Sequence, residues 1–494
     1  MSQITLPKDM FHLRRGERPL YGQQPDLKKA VEYFKSLLKE GEWESRRAAI
    51  ATRFHQSLIG ERPPTEKGTY YDDRDLFGWF LFLGEAFNDH PWNYEIYYGS
   101  RVVPVLATIG HSLDILKSTD GFEDRAKRLV RNDKAQPNGL LFEMLVAAAY
   151  GRAGAKVVMR PETPGEGKSH DLDVELDGKR WAIECKRLEG GGEYVETERL
   201  RMHKLWDGAC AKLVRQERSC LLNIEFKVEL NQVPDGYIFH RTGRYLNGCK
   251  TGYLWSDRIA DGDFSDLSLN DLQDALKREP VVHPSPLFTK LLTGDHKRGD
   301  SLLSMLRIQH ASNPHYVKEI DLAVLNKWDS QAETAIEKKA RDITKRLSEA
   351  NSQLPADIPG VVHIGFDCLG KDEIEVRRYN KIISSTRDFD RGASQLEVIY
   401  CHYFAPDPTP EDVWAIDETI QWIVRNGTSQ ERPLKPGRVL LSDGPGREGV
   451  YWDNGKLAAV EAEAVVAPSD AKSRRLLKRI RKLFGPFVMK DETS

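Results

Sequence analysis

Residues 169–187, SHDLDVELDGKRWAIECKR, constrain this chain more than any other stretch, because they form a charged hairpin whose loop sets its own register. Leu172, Val174 and Leu176 alternate with Asp171, Asp173 and Glu175. After Asp177-Gly178, Trp181, Ile183 and Cys185 alternate with Ala182, Glu184 and Lys186. A period of two belongs to half-buried strands, and Asp-Gly is a favoured two-residue hairpin loop. With that loop, Leu176 pairs with Lys179, Val174 with Trp181, Asp173 with Ala182 and Asp171 with Glu184. Directly opposed side chains have Cβ atoms roughly 4.5–5.5 Å apart, and like charges placed so repel unless something cationic sits between them. A divalent ion fits that role, since Mg²⁺ is usually held by one or two carboxylates together with water and substrate phosphate. Lys186 lies two residues beyond Glu184, on the same face.

The segment before the hairpin, GLLFEMLVAAAYGRAGAKVVMRP, predicts a helix over residues 140–150 and a strand over 156–160. The helix is almost wholly apolar apart from Glu143, and a carboxylate in such a setting needs water or a cation nearby. A solvent-facing glutamate is the plain alternative; the hairpin beside it favours a functional one.

Asp171 followed by Glu184-Cys185-Lys186, with Phe142-Glu143 on the preceding helix, resembles the PD-(D/E)xK nuclease superfamily in its Mrr-type restriction-endonuclease branch, over about residues 138–220. His170 stands where a proline often precedes the aspartate. Glu-x-Lys occurs four times in the chain, at 166–168, 184–186, 225–227 and 337–339, and only the second has the helix, the hairpin and the facing aspartate. The resemblance implies a restriction-endonuclease-like α/β core, a mixed sheet flanked by helices, and a metal-dependent endonuclease. By that resemblance Asp171 and Glu184 would hold Mg²⁺ or Mn²⁺ with the Cys185 carbonyl as a further ligand. Glu143 would assist directly or through water, and Lys186 would orient the attacking water. Asp173 is the second choice as ligand, because a one-pair shift of register brings it opposite Glu184. The implied partner is nucleic acid, DNA foremost, cut in restriction, defence or DNA processing by a homodimer or with a partner protein. The alternatives are an inactive nucleic-acid-binding module of the same fold and an RNA-cleaving effector subunit of a larger assembly.

Net charge of −2 over 494 residues confines any nucleic-acid contact to local basic patches. Arg187 follows the motif directly. A helix over residues 197–218 carries Lys204, Lys212 and Arg215, with Arg199 and Arg201, on one face, and such a face is commonly just solvated. The aromatic-rich residues 70–98 invite comparison with a base-stacking platform, but their helical spacing and scarcity of Lys and Arg favour a core. No run reaches the eighteen apolar residues of a membrane span, and the start of the chain lacks the pattern of a secretory signal. Six cysteines contain no C-x-x-C, so reduced thiols in the cytoplasm are expected.

Three regions are predicted: a helical N-terminal domain, 1–130; the nuclease-like domain, 131–405, with an insertion around 231–315; and a small α/β region, 406–494. The nuclease-like domain is expected to take a strand at 220–230, a long helix at 336–354, and strands at 361–366 and 396–404. The last region ends in a basic amphipathic helix, with seven Lys or Arg between Lys472 and Lys482. Gly444 to Gly449 matches G-x-G-x-x-G, but an Asn-Gly hairpin follows where a dinucleotide site needs a helix. Gly167-Lys168-Ser169 imitates the end of a P-loop, but Glu162 occupies the first glycine position.

Overall fold

The computed structural model describes residues 9–13, 22–59, 70–161, 169–188, 192–248, 252–311, 315–408, 416–425, 432–434 and 439–442. The G-x-G-x-x-G run, the P-loop-like loop and the basic C-terminal segment lie outside or at the margin of these residues. The N-terminal part holds α1 (Pro25–Ser36), α2 (Glu42–Leu58), α3 (Leu76–Asp89), α4 (Ile96–His111), α5 (Leu113–Lys117) and α6 (Phe122–Arg131). Asp26 sits in the first turn of α1, where it pairs with Lys29 at 2.8 Å. Then follow α7 (Asn138–Arg152), β1 (Lys156–Met159), β2 (Leu172–Leu176), β3 (Lys179–Leu188), α8 (Gly192–Arg215) and β4 (Cys220–Phe226). Next come α9 (Tyr237–Gly248), β5 (Gly252–Ser256), β6 (Ala260–Asp266), α10 (Asn270–Leu276), β7 (Val281–Val282), α11 (Pro286–Thr293), β8 (Ser301–His310) and β9 (Tyr316–Ser330). The chain closes with α12 (Glu333–Lys339), α13 (Thr344–Asn351), β10 (Gly360–Asp367), α14 (Asp372–Asp388), β11 (Leu396–Pro406) and β12 (Ile416–Val424).

Two mixed sheets result, both flanked by helices, so the fold is α/β. The first runs β1-β2-β3-β10-β11-β12, with β3, β10 and β11 parallel and the remaining pairs antiparallel. The second runs β5-β6-β4-β9-β7, with β8 also paired to β9. Every residue of β10 is buried, as a central parallel strand covered on both faces must be. Ile183, Val361 and Tyr400 pack under α7 and the N-terminal helices, while Val362, Ile364 and Ile399 pack under α13 and α14. The core of the first sheet is therefore a sandwich with helices on either side.

The strand at Cys220–Phe226, expected in the same core as the hairpin, pairs instead with β6 and β9 of the second sheet. The described part of residues 231–315, expected as an insertion in the nuclease-like domain, contributes four strands and three helices to or around that sheet. The helix expected over 336–354 is two. Lys339 at the end of α12 is buried against Glu198 at 2.9 Å, and the chain turns there before Thr344 N donates to Asp342 and α13 begins. β12, which lies within the expected C-terminal region, extends the first sheet from β11. A buried polar chain reinforces it: Tyr150 Oη lies 2.9 Å from His363 Nε2, His363 Nδ1 2.9 Å from His402 Nε2, and His402 Nδ1 3.2 Å from Glu418.

The N-terminal helices bury their aromatics as a core, in line with their spacing. Phe77, Trp79, Phe82, Phe87 and Tyr94 are enclosed, and α3 is apolar on all sides because it is surrounded. Glu85 is the one acidic residue in this helix's buried set, and it accepts from Trp43 Nε1 at 3.0 Å, Arg47 at 3.0 Å and Lys35 at 3.2 Å. Burial raises its proton affinity, but the neighbouring His90 and the charges of Lys35 and Arg47 outweigh that and hold its pKa at about 2. A carboxyl depressed in the folded state stabilises the fold above its unfolded pKa, near 4.5, and loses that contribution as pH falls towards 2. Glu85→Gln should therefore lower stability at neutral pH by roughly 3 kcal/mol. The difference from the unsubstituted protein should shrink in urea titrations carried from pH 5 to pH 2.5.

Among the described residues, no helix is long and apolar enough to cross a membrane.

Candidate active site

The hairpin has the register set by its loop. Asp177 and Gly178 both take positive φ, 52° and 76°, as the tight two-residue turn requires. Leu176 pairs with Lys179, Val174 with Trp181, Asp173 with Ala182 and Leu172 with Ile183. β2 begins at Leu172 but β3 continues to Leu188, so residues 184–188 run on without a β2 neighbour. Asp171 fills the first vacant step: its N–H donates to the Ile183 carbonyl at 3.0 Å, and its Oδ2 accepts from Cys185 N–H at 2.8 Å. A side chain thus replaces a strand where the sheet opens.

Glu184 stands in the middle of β3 and is fully buried. Its Oε1 is ion-paired with Lys186 Nζ, and its Oε2 has no hydrogen-bond donor among the described residues. Lys186 Nζ also donates to Gln353 Oε1 at 2.7 Å, and Gln353 Nε2 reaches the Ser169 carbonyl at 3.4 Å. Glu143 comes in from α7, with Arg125 Nε donating to it at 2.6 Å. Arg125 Nη2 reaches the Asp171 carbonyl at 3.4 Å. Burial is the main cause that pushes the Asp171 carboxyl well above its ordinary range, and the charges of Glu143 and Glu184 add to it. Glu184 is raised too, by burial first, against the pull of Lys186. The structure thus brings Glu143, Asp171, Glu184 and Lys186 to one mouth, where three carboxylates crowd against two cations.

Asp173 lies elsewhere. It faces Ala182, and its carboxylate is held by His170 Nε2 at 2.8 Å and Arg160 Nη1 at 3.1 Å. Burial opposes these two partners, which nevertheless keep its pKa below the usual value. The Cys185 side chain is buried in the core beneath α7. Arg187 points to the opposite sheet face from Lys186, ion-paired with Asp367 and lying 4.7 Å from the Phe404 ring centroid. Lys204, Lys212 and Arg215 sit along α8, away from that group, on the helix that packs against the second sheet. Lys204 is 3.6 Å from Asp235, Lys212 lies over the Phe239 ring at 4.9 Å, and Arg215 is exposed.

Comparison with family models, with curated proteins and with solved structures finds no match to this chain. Its function has to be read from the site itself.

Two residues of that site, Arg125 and Gln353, carry no local signal in the sequence. Arg125 lies on an ordinary amphipathic helix, and Gln353 follows a helix 167 residues after Lys186. Only folding gives them their neighbours. Among the described residues, no group of three or more His, Cys, Asp and Glu side chains is arranged as a metal cage. What the mouth offers is a pair of hard carboxylate donors, Asp171 and Glu184, one of whose oxygens is buried without a donor. Mg²⁺ commonly takes such a pair and fills its remaining positions with water and phosphate. The donor set therefore fits a divalent cation of that kind.

Proposed function

We propose that the chain is a metal-dependent nuclease of the PD-(D/E)xK type, built on a restriction-endonuclease-like core and acting on DNA foremost. The observation that carries this reading is the placement of Asp171 beside the buried, partly unsatisfied Glu184, with Lys186 on the same face. Natural folds seldom bury like charges without a compensating cation, and such an arrangement is more common at functional sites than in scaffolding.

In this reading Asp171 and Glu184 hold Mg²⁺ or Mn²⁺, with the Cys185 carbonyl beside them. Such an ion, when bound, supplies neutralisation of phosphate charge and acidifies a water molecule. The protein's own residues do the rest. The Cys185 N–H fixes the Asp171 carboxylate, so its orientation is set before substrate arrives. Arg125 fixes Glu143 at the rim. Gln353 holds Lys186 at the mouth, where its ammonium can orient a water molecule and stabilise charge on the scissile phosphate.

The test is cleavage of double-stranded DNA, single-stranded DNA and RNA by the full-length protein, with Mg²⁺, Mn²⁺ or EDTA. Asp171→Ala should lose cleavage by at least ~10²-fold, the scale of a positioned catalytic group. Asp173→Ala, which removes only a partner of His170 and Arg160, should retain cleavage within a few-fold. The reverse ranking would move the site to the shifted register. Nucleic-acid binding that survives EDTA, with no cleavage under any condition, would leave a binding module in place of the enzyme.

A further inference from the structure

A second site lies on the other side of β3. A cavity of about 450 Å³ opens where the parallel strands β3, β10 and β11 end, roofed by α4 and α7. That is within the ~300–1,000 Å³ range of small-molecule sites. The carboxyl ends of parallel strands are also where open α/β sheets usually bind ligands. Arg187 lines the cavity while its neighbour Lys186 belongs to the carboxylate mouth. Successive strand residues face opposite ways, so the two sites stand back to back across one strand.

The lining has a particular chemistry. Arg101, from α4, and Arg187 share one carboxylate, that of the buried Asp367, with Arg101 Nη2 at 3.1 Å. The third arginine, Arg199, is matched by Glu196 at 2.7 Å. Three guanidiniums against two carboxylates leave this lining one positive charge in excess. Arg101 lies deep in the fold yet keeps 29% of its side-chain surface open, and as a lining residue it turns that surface to the cavity. Flat apolar walls stand around it. Tyr71 and Tyr98 meet edge to face at 5.3 Å, and Phe404 lies under Arg187. Most aromatics of residues 70–98 are core, but Tyr70, Tyr71, Phe80 and Tyr98 border this space.

Guanidinium groups recognise phosphate with two parallel hydrogen bonds, and aromatic rings stack on bases of any sequence. We infer that this cavity binds a nucleoside phosphate, with the phosphate at Arg101 and Arg187 and the base beside Tyr71 and Tyr98. The ligand has two sources with the same chemistry, a free nucleotide or the 5′-phosphorylated end of a strand. The site stands apart from the nuclease reading and does not depend on it.

The experiment uses the full-length protein in EDTA, so that metal-dependent cleavage is off, and follows melting temperature and calorimetric binding. Nucleoside 5′-monophosphates, the same nucleosides without phosphate, inorganic phosphate, and oligonucleotides with and without a 5′-phosphate are titrated in parallel. Saturable binding of monophosphates, at least tenfold tighter than nucleoside or phosphate alone, identifies a free nucleotide as ligand. The same preference seen only between phosphorylated and unphosphorylated oligonucleotides identifies a strand end. In either case Arg101→Met and Tyr71→Leu should each weaken binding at least tenfold, or about 1.4 kcal/mol. Arg101→Met leaves Asp367 paired with Arg187, and Tyr71 lies at the partly exposed rim, so melting without ligand should show both variants folded. Lys186→Ala should bind like the unsubstituted protein. Absence of saturable binding by every phosphorylated probe would overturn the proposal. So would binding lost in Lys186→Ala and kept in Arg101→Met, which would place the ligand at the carboxylate mouth. Loss of cleavage with retained nucleotide binding, or the converse, separates the two sites.

Discussion

Lys186→Ala is expected to reduce metal-dependent cleavage by at least ~10²-fold while the protein remains folded. The ammonium is bonded to Glu184 and to Gln353, and among the described residues no other cation pairs with Glu184. Removing one partner of a buried ion pair usually costs about 3–5 kcal/mol, because an uncompensated charge is left behind. Here the cost should be smaller. Burial already inclines Glu184 to hold a proton, so the carboxyl can become neutral when Lys186 is lost. Melting temperature should therefore change by only a few degrees, and cleavage should be lost without unfolding. Cleavage by Lys186→Ala at the rate of the unsubstituted protein would refute the catalytic assignment.

Gly110→Val is expected to destabilise the fold by about 3 kcal/mol or more, at the contact between α1 and α4. A Cβ at position 110 would stand 1.8 Å from the Asp26 carbonyl oxygen and 3.1 Å from Ala30 N. These are backbone atoms of α1, which cannot rotate aside, so α1 and α4 would have to separate. Gly99, on the same helix, is crowded as well, but its nearest neighbour is the Tyr94 ring, a side chain rather than backbone. Urea denaturation of Gly110→Val and Gly99→Ala side by side should show the first as the larger loss. Equal stability of Gly110→Val and the unsubstituted protein would mean that the two helices do not meet as closely as described. Because α4 also carries Tyr98 and Arg101, Gly110→Val should weaken nucleotide binding in the cavity through displacement of its wall.

The hairpin was legible because its information is local. The two-residue turn, the alternation and the pairing all lie within about twenty consecutive residues, and one loop geometry sets every pair from Leu176 to Leu172. The preceding helix was legible for the same reason, since the run from Leu140 to Tyr150, apolar apart from Glu143, is long enough for a helix and too long for a typical strand. The strand at 220–226 was legible as a strand but not in its partners. Nothing in CLLNIEF says whether it lies beside β3 or beside β9, because pairing is chosen by loop closure and packing over long separations. The strands within residues 231–315 run from two to ten residues, separated by segments rich in Gly and Pro, and their partners in β4, β6 and β9 are set by packing rather than by any local signal.

What the sequence determined by itself was therefore local: the hairpin's register from Leu176 to Leu172, Glu184 and Lys186 two residues apart on β3, and Glu143 on the helix before them. Tertiary structure decided what surrounds it. It set Arg125 and Gln353 against Glu143 and Lys186, sent the chain through a second sheet between β3 and β10, and drew Arg101, Arg187 and Asp367 together at the strand ends. Arg101 and Asp367 are 266 residues apart. Side-chain alternation and turn geometry act between neighbours and can be read along the chain, whereas burial and charge pairing act between surfaces that exist only once the layers have packed.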